Sequence, residues 1–193
     1  MSMPVLTDHR WSPSDLALLP DDGNRYECID GALLVTPAPN RVHQLLVVGL
    51  ITRFSAYCGS SARLQALLSP ADIRLEPGSV VQPDVFVYYR PAGGLAGDWA
   101  TIERLAVAVE ILSPGSHRQD RITKRALYQR TAVDEYWIVD PDARCVERWR
   151  AGDGQPDVIT TSLRWSPEGM GAPLEIDLPI LFADAYGERY PSR

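Results

Sequence analysis

The run Leu105-Ala106-Val107-Ala108-Val109-Glu110-Ile111-Leu112 constrains this chain more than any other stretch. Its apolar residues do not alternate with polar ones, so a strand made from them has no face for water and is covered on both sides. Such a strand belongs in the middle of a sheet flanked by helices, and the expected class is α/β or α+β. Glu110 is its one charge, and burying an unpaired carboxylate there costs several kcal/mol. It therefore needs a cation, a metal or a proton beside it. The plain alternative is a strand-end acid that already stands in water or pairs with an arginine.

The remaining elements follow from turn and periodicity signals. Asp30-Gly31, between apolar-rich runs at 25–29 and 32–35, is a strong hairpin signal. A short turn of helix is expected at 15–19, between Pro13 and Pro20. Asn40 can cap a helix whose apolar positions from Val42 to Tyr57 recur at helical spacing and which ends at Gly59. Strands are expected at 72–75, 85–89 and 105–112. Ser116 and Gln119 form a capping-box pattern ahead of a second helix over 117–132. A strand at 135–139 and its partner at 144–149 flank the turn Asp140-Pro141-Asp142-Ala143. One strand at 158–163 and an apolar docking segment at 178–182 complete the chain.

At 193 residues, with neither linker nor repeat, the chain reads as one domain with a core over about 25–145 and peripheral strands and a docking tail over 146–193. No apolar run reaches the ~18 residues of a membrane span. The first ten residues lack the charged start and apolar block of a signal peptide, so the cytoplasm is the expected location. Cys28, Cys58 and Cys145 are widely spaced and odd in number, which argues against a disulfide framework or a zinc site. The net charge of −6 means that any phosphate contact must be local.

Asp84 stands directly before an apolar strand and Glu110 near the end of another, so adjacent strands could bring both to one edge of the sheet. Hard cations such as Mg²⁺ take one or two protein carboxylates plus water and substrate phosphate. Alone, Asp84 in a Pro-Asp pair is better read as a turn residue. Lys124 is the only lysine beside eighteen arginines, and an ammonium serves roles that a guanidinium fills poorly. Asp120, Lys124 and Tyr128 recur at i, i+4 and i+8 as one stripe of the second helix; the plain alternative is an exposed ion pair. Arg118, Arg121, Arg125 and Arg130 make that helix the most basic stretch, suited to a phosphate backbone or simply to a solvated face. His43, in the first turn of the first helix, is a candidate ligand or base, or a packed or capping histidine. Neither a phosphate loop with Gly-Lys-Ser/Thr nor a Gly-x-Ser-x-Gly elbow nor a His-Glu-x-x-His motif occurs.

Gln82-Pro83-Asp84-Val85, Val109-Glu110-Ile111-Leu112-Ser113-Pro114, then Asp120, Lys124, Tyr128 and Glu135-Tyr136-Trp137-Ile138-Val139-Asp140-Pro141 together resemble the Uma-type restriction endonuclease family, a bacterial branch of the PD-(D/E)XK nucleases. The likeness extends back through Tyr26-Glu27-Cys28-Ile29-Asp30-Gly31 and His43, so it covers roughly residues 20–145. It implies a restriction-endonuclease-like αβββαβ core with a mixed central sheet, carrying an N-terminal hairpin and extra C-terminal strands. It also implies hydrolysis of DNA phosphodiesters with Mg²⁺ or Mn²⁺ held by Asp84, Glu110 and the Ile111 carbonyl.

The chain departs from the superfamily pattern at Leu112, where a typical member has lysine, and Lys124 matches the place from which the Uma-type branch supplies it. The first helix contains no acid, so Glu27 or His43 stands in for a carboxylate found there in some members. Gln44, Asp120 and Tyr128 are further residues expected around the site. A homodimer is compatible with paired cuts. Two other readings stay open: a non-catalytic nucleic-acid-binding or interaction module on the same fold, and a two-carboxylate glycosidase.

Overall fold

The computed structural model describes residues 9–91, 94 and 97–188. The opening residues 1–8 and the turn residues Ala92 and Gly93 lie outside the described residues. A short helix α1 (Pro13–Leu16) leads into the hairpin of β1 (Arg25–Ile29) and β2 (Ala32–Thr36). Asp30 and Gly31 both take positive φ, 53° and 83°, as a two-residue turn matching the twist of its strands requires. Helix α2 (Arg41–Cys58) follows, with the Asn40 side chain accepting the His43 N–H at its start.

Six strands form the main sheet in the order β3-β4-β5-β6-β7-β8: β3 (Leu64–Leu68), β4 (Val85–Tyr89), β5 (Leu105–Ile111), β6 (Tyr136–Asp140), β7 (Cys145–Trp149) and β8 (Asp157–Ile159). All neighbours are antiparallel except β5 and β6, which run parallel and are joined by the helix between them. Every residue of β5 is buried, as its unbroken apolar run requires. One core covers one face of the sheet with Leu46, Leu50 and Phe54 of α2, Trp165, and Leu181 and Phe182. The other covers the opposite face with Ile29, Leu34, Leu127, Tyr128 and Tyr136. Fully burying each such large side chain stabilises by about 1.5–3 kcal/mol, so the two cores hold the sheet rigidly between them.

Several expectations need correction. The first strand of the core is β3, not 72–75; in that segment only Ile73 is tied to Val81 through a single bridge. Leu64–Leu68 carries buried Leu64 and Ala66 in alternation, a strand pattern hidden by its helix-forming leucines and alanine. The strand expected at 158–163 is two strands, β8 at the edge of the main sheet and β9 (Ser162–Trp165), which pairs with β10 (Leu174–Asp177). The docking segment is the start of helix α4 (Leu178–Tyr186), capped by Asp177 through the Ile180 N–H. The helix after β5 is π-helical over Gln119–Lys124 before it becomes α3 (Arg125–Arg130).

Candidate active site at the end of the central strands

Continuing the Val85–Val109 register one residue outward sets Asp84 opposite Glu110 where β4 begins and β5 ends. Directly opposite residues point to the same face of a sheet. That face also carries Phe86 and Ala108, so both carboxylates look toward the core beneath the hairpin and the second helix. The hairpin is tied there by reciprocal hydrogen bonds between Cys28 and Val80, at 2.9 and 2.7 Å.

Two sets of contacts result. Asp84 accepts from Arg25 at 2.8 Å on Oδ1, and on Oδ2 it meets His43 Nε2 at 3.0 Å and the Ile111 N–H at 2.8 Å. Burial works against its charge, but the His43 hydrogen bond and the Arg25 guanidinium hold its carboxyl well below the usual range. Glu110 Oε1 accepts from Lys124 Nζ at 2.9 Å and Tyr128 Oη at 3.2 Å. Lys124 Nζ also lies 2.7 Å from Glu27 Oε2, a contact with the distance of an ion pair but not the alignment of a hydrogen bond, and 3.9 Å from Asp120. Glu27 is anchored through Oε1, which accepts the Gln82 N–H at 2.7 Å.

Glu27, His43, Asp84, Glu110, Asp120, Lys124 and Tyr128 are all buried, and Lys124 is 2% exposed. Burial pushes the Glu110 carboxyl well above the usual range; Lys124 opposes that shift, while Asp84 and Glu27 add to it. Burial also raises Asp120. Burial disfavours the Lys124 ammonium, but Glu110, Glu27 and Asp120 outweigh it and keep it charged. The π-helical turn Gln119–Lys124 contains Asp120 and Lys124 and buries both, a local irregularity frequent at functional sites.

Sequence patterns brought out Asp84, Glu110, Lys124, His43, Asp120 and Tyr128, the family resemblance added Glu27, and the fold gathers all seven. Gln44 is exposed, and among the described residues its side chain makes no hydrogen bond to the cluster. The basic residues divide. Arg118 is exposed. Arg121 bonds Asp140 at 2.7 Å and Glu147 at 2.6 Å, and Arg125 lies over the Trp149 ring at 4.6 Å. Arg121 would have to leave its contacts to reach a phosphate, whereas Arg125, stacked on the ring, keeps its in-plane N–H donors. Arg25 escaped the sequence reading. Its signal was the spacing Arg25-x-Glu27, which puts both charges on one side of a strand that is otherwise half-apolar.

The donor set suits a hard cation rather than zinc. Among the described residues no group of three His, Cys, Asp and Glu side chains is arranged to hold a metal by itself. Asp84 and Glu110 offer carboxylate oxygens, the donor type of an ion that completes its shell with water. Nor, among the described residues, is any helix long and apolar enough to cross a membrane.

No curated protein matches the chain. A crystal structure described as that of "a putative nuclease belonging to DUF820" from Anabaena variabilis ATCC 29413 has a similar fold, with a TM-score of 0.70 at 20% identity, covering 91% of this chain and 99% of that one. That likeness bears on architecture alone: a mixed sheet flanked by helices. The model of the Uma2 family, described as "Putative restriction endonuclease", matches residues 13–180, a span that contains every residue of the cluster, and the chain belongs to that family.

Proposed function

We propose that this chain is a Mg²⁺- or Mn²⁺-dependent endonuclease that hydrolyses DNA phosphodiester bonds, built as one domain over residues 1–193. The observation that carries this reading is the charge of the buried cluster: among the described residues, the carboxylates of Glu27, Asp84, Glu110 and Asp120 pair with two permanent cations, Lys124 and Arg25. Surplus buried negative charge is answered by a proton or a bound cation. Asp84, Glu110 and the Ile111 carbonyl are the groups that would hold the ion, which supplies Lewis acidity and a more acidic bound water.

The chain's own residues do the rest. Arg25 and His43 fix the Asp84 carboxylate in one orientation. Glu27 holds the Lys124 ammonium beside Glu110, from where it would neutralise charge gathering on the phosphate. Tyr128 donates to the same Glu110 oxygen and fixes its rotamer. Arg118, exposed on the second helix, would meet the DNA backbone. Two copies would serve paired cuts in duplex DNA.

The test is incubation of supercoiled plasmid with wild type, Asp84→Asn and Glu110→Gln, each with Mn²⁺ and with a chelator. Cleavage is expected from wild type with Mn²⁺ alone. Cutting that survives chelation, or that persists in Asp84→Asn, removes the reading. The engagement of both Asp84 oxygens by Arg25, His43 and Ile111 favours one second reading, a module that binds DNA without cutting. It predicts a gel shift with no cleavage in any divalent ion.

A further inference from the structure

Arg25 is the most exposed side chain of the cluster, at 19% against 2% for Lys124 and 3% for Asp84. It stands in β1 with Glu27 two residues on, so both side chains leave the same side of the strand. Its Nη1 donates to Asp84 Oδ1 at 2.8 Å and to the Gln82 carbonyl at 3.1 Å. Burial works against its charge, but Asp84, Glu110 and Glu27 outweigh that and raise its guanidinium above the usual arginine range. The same acids that would hold an ion therefore already hold Arg25.

The two oxygens of Asp84 are used differently. Oδ2 meets His43 Nε2 and accepts the Ile111 N–H, the one fixed in α2 and the other at the end of β5. Oδ1 is thus the oxygen with which Asp84 would hold an ion, and among the described residues its donor is Arg25. A hard ion sits ~2.1 Å from its oxygen and Arg25 sits 2.8 Å from this one. Two cations on one oxygen at those distances stand at most about 5 Å apart, where like charges repel strongly once water is excluded.

We propose that Arg25 is a placeholder for the divalent ion: its guanidinium occupies the ion's oxygen on Asp84 and yields it when the ion binds. The inference rests on the cation site of the nuclease reading. Arg25 can yield because its side chain already reaches solvent, whereas Lys124 is enclosed. The exchange selects by charge. A monovalent ion brings no more charge than the guanidinium and none of its hydrogen bonds to Asp84 and Gln82, so it gains nothing by taking the place. A divalent ion brings twice the charge to Asp84 and Glu110. Arg25 thereby sets both the affinity of the site and its preference for divalent ions.

The test is Mn²⁺ binding to the metal-free full chain at constant ionic strength, read from the electron paramagnetic resonance of unbound Mn²⁺, for wild type, Arg25→Gln and Arg25→Lys. Arg25→Gln should bind Mn²⁺ about tenfold more tightly, with one competing charge gone. Arg25→Lys keeps the charge and should stay near wild type. Guanidinium ion at a non-denaturing concentration should loosen Mn²⁺ from Arg25→Gln more than sodium does. An Arg25 that merely orients Asp84 predicts the opposite sign, weaker Mn²⁺ binding once it is lost. A second measurement uses wild type alone: a guanidinium held in an ion pair rotates slowly and shows separate Nη–H resonances, and those of Arg25 should average on saturation with Mg²⁺. Unchanged or weaker Mn²⁺ binding by Arg25→Gln, or Arg25 resonances unaltered by Mg²⁺, overturns the inference and leaves the nuclease reading to the plasmid test. Absence of Mn²⁺ binding from all three proteins removes the placeholder and the metal site together.

Discussion

The Lys124 ammonium lies 2.9 Å from Glu110 Oε1, and the two are fully buried although they come from different elements, a π-helical turn and the end of the central strand. With Glu27 at 2.7 Å on its other side, Lys124 is both a candidate for the chemistry and the neutraliser of a buried acidic cluster. The two roles make separate predictions.

Lys124→Ala strands Glu27 and Glu110 as buried acids without their cation. Breaking a buried pair on one side costs about 3–5 kcal/mol, so urea denaturation should show a loss of that size. Adding Glu27→Gln should recover part of it. A loss below 1 kcal/mol, in the range of exposed ion pairs, would show that the ammonium is not confined as described.

Lys124→Arg should keep most of the stability but not the rate. The planar guanidinium cannot occupy a place shaped for an ammonium, and losing one aligned donor costs about 10²–10³ in rate. Single-turnover cleavage of an oligonucleotide with Mn²⁺ at saturating enzyme measures this. Equal rates for wild type and Lys124→Arg would remove Lys124 from the chemistry.

Glu110→Gln should raise the Tm of the metal-free protein while abolishing cleavage. Burial, with Asp84 and Glu27 nearby, already pushes the Glu110 carboxyl well above its usual range, so its charged form is held at a cost. A neutral isostere removes that cost, the trade of stability for function expected at a site. A lower Tm at neutral pH would mean that the ionised Glu110 is a net stabiliser.

Alkaline pH should weaken the fold through Cys58. Burial pushes its thiol from 9.0 to about 11, with Arg90 opposing. A raised folded-state value means that its contribution is complete below pH 9.0 and is lost as pH climbs through about 11. Two pH units correspond to at most about 3 kcal/mol, less where water screens the thiolate. Cys58→Ala should flatten the fall in stability between those limits; an unchanged slope against pH would exclude the thiol as its source.

Gly49→Ala should destabilise the crossing of α2 and α4. A Cβ at Gly49 would stand 2.6 Å from Leu181 Cδ1, in a core where Leu181 is 2% exposed. Overpacking costs about 1–3 kcal/mol, against the gain of about 1 kcal/mol for alanine over glycine inside a helix. The expected net effect is a loss, read by urea denaturation and relieved by Leu181→Ala in the same chain.

Local chemistry along the chain determined the hairpin at Asp30-Gly31, α2 from its Asn40 cap, and the buried strand carrying Glu110. In each, the deciding interactions lie within a few residues: positive φ in a tight turn, a side chain on a nearby N–H, an apolar run with no polar face. Lys124 and Tyr128 were legible for the same reason, as neighbours on one helical stripe. The tertiary structure alone decided the rest. Leu64–Leu68 became the first core strand because its partner is Val85–Tyr89, a pairing that no local preference encodes. Arg121 and Arg125 faced acids and an aromatic ring of β7 instead of open solvent. Arg25 reached Asp84, fifty-nine residues away, only because the hairpin folds over the end of β4. Hydrogen bonds and buried charge are satisfied in space, so their partners become visible only when the sheet is closed.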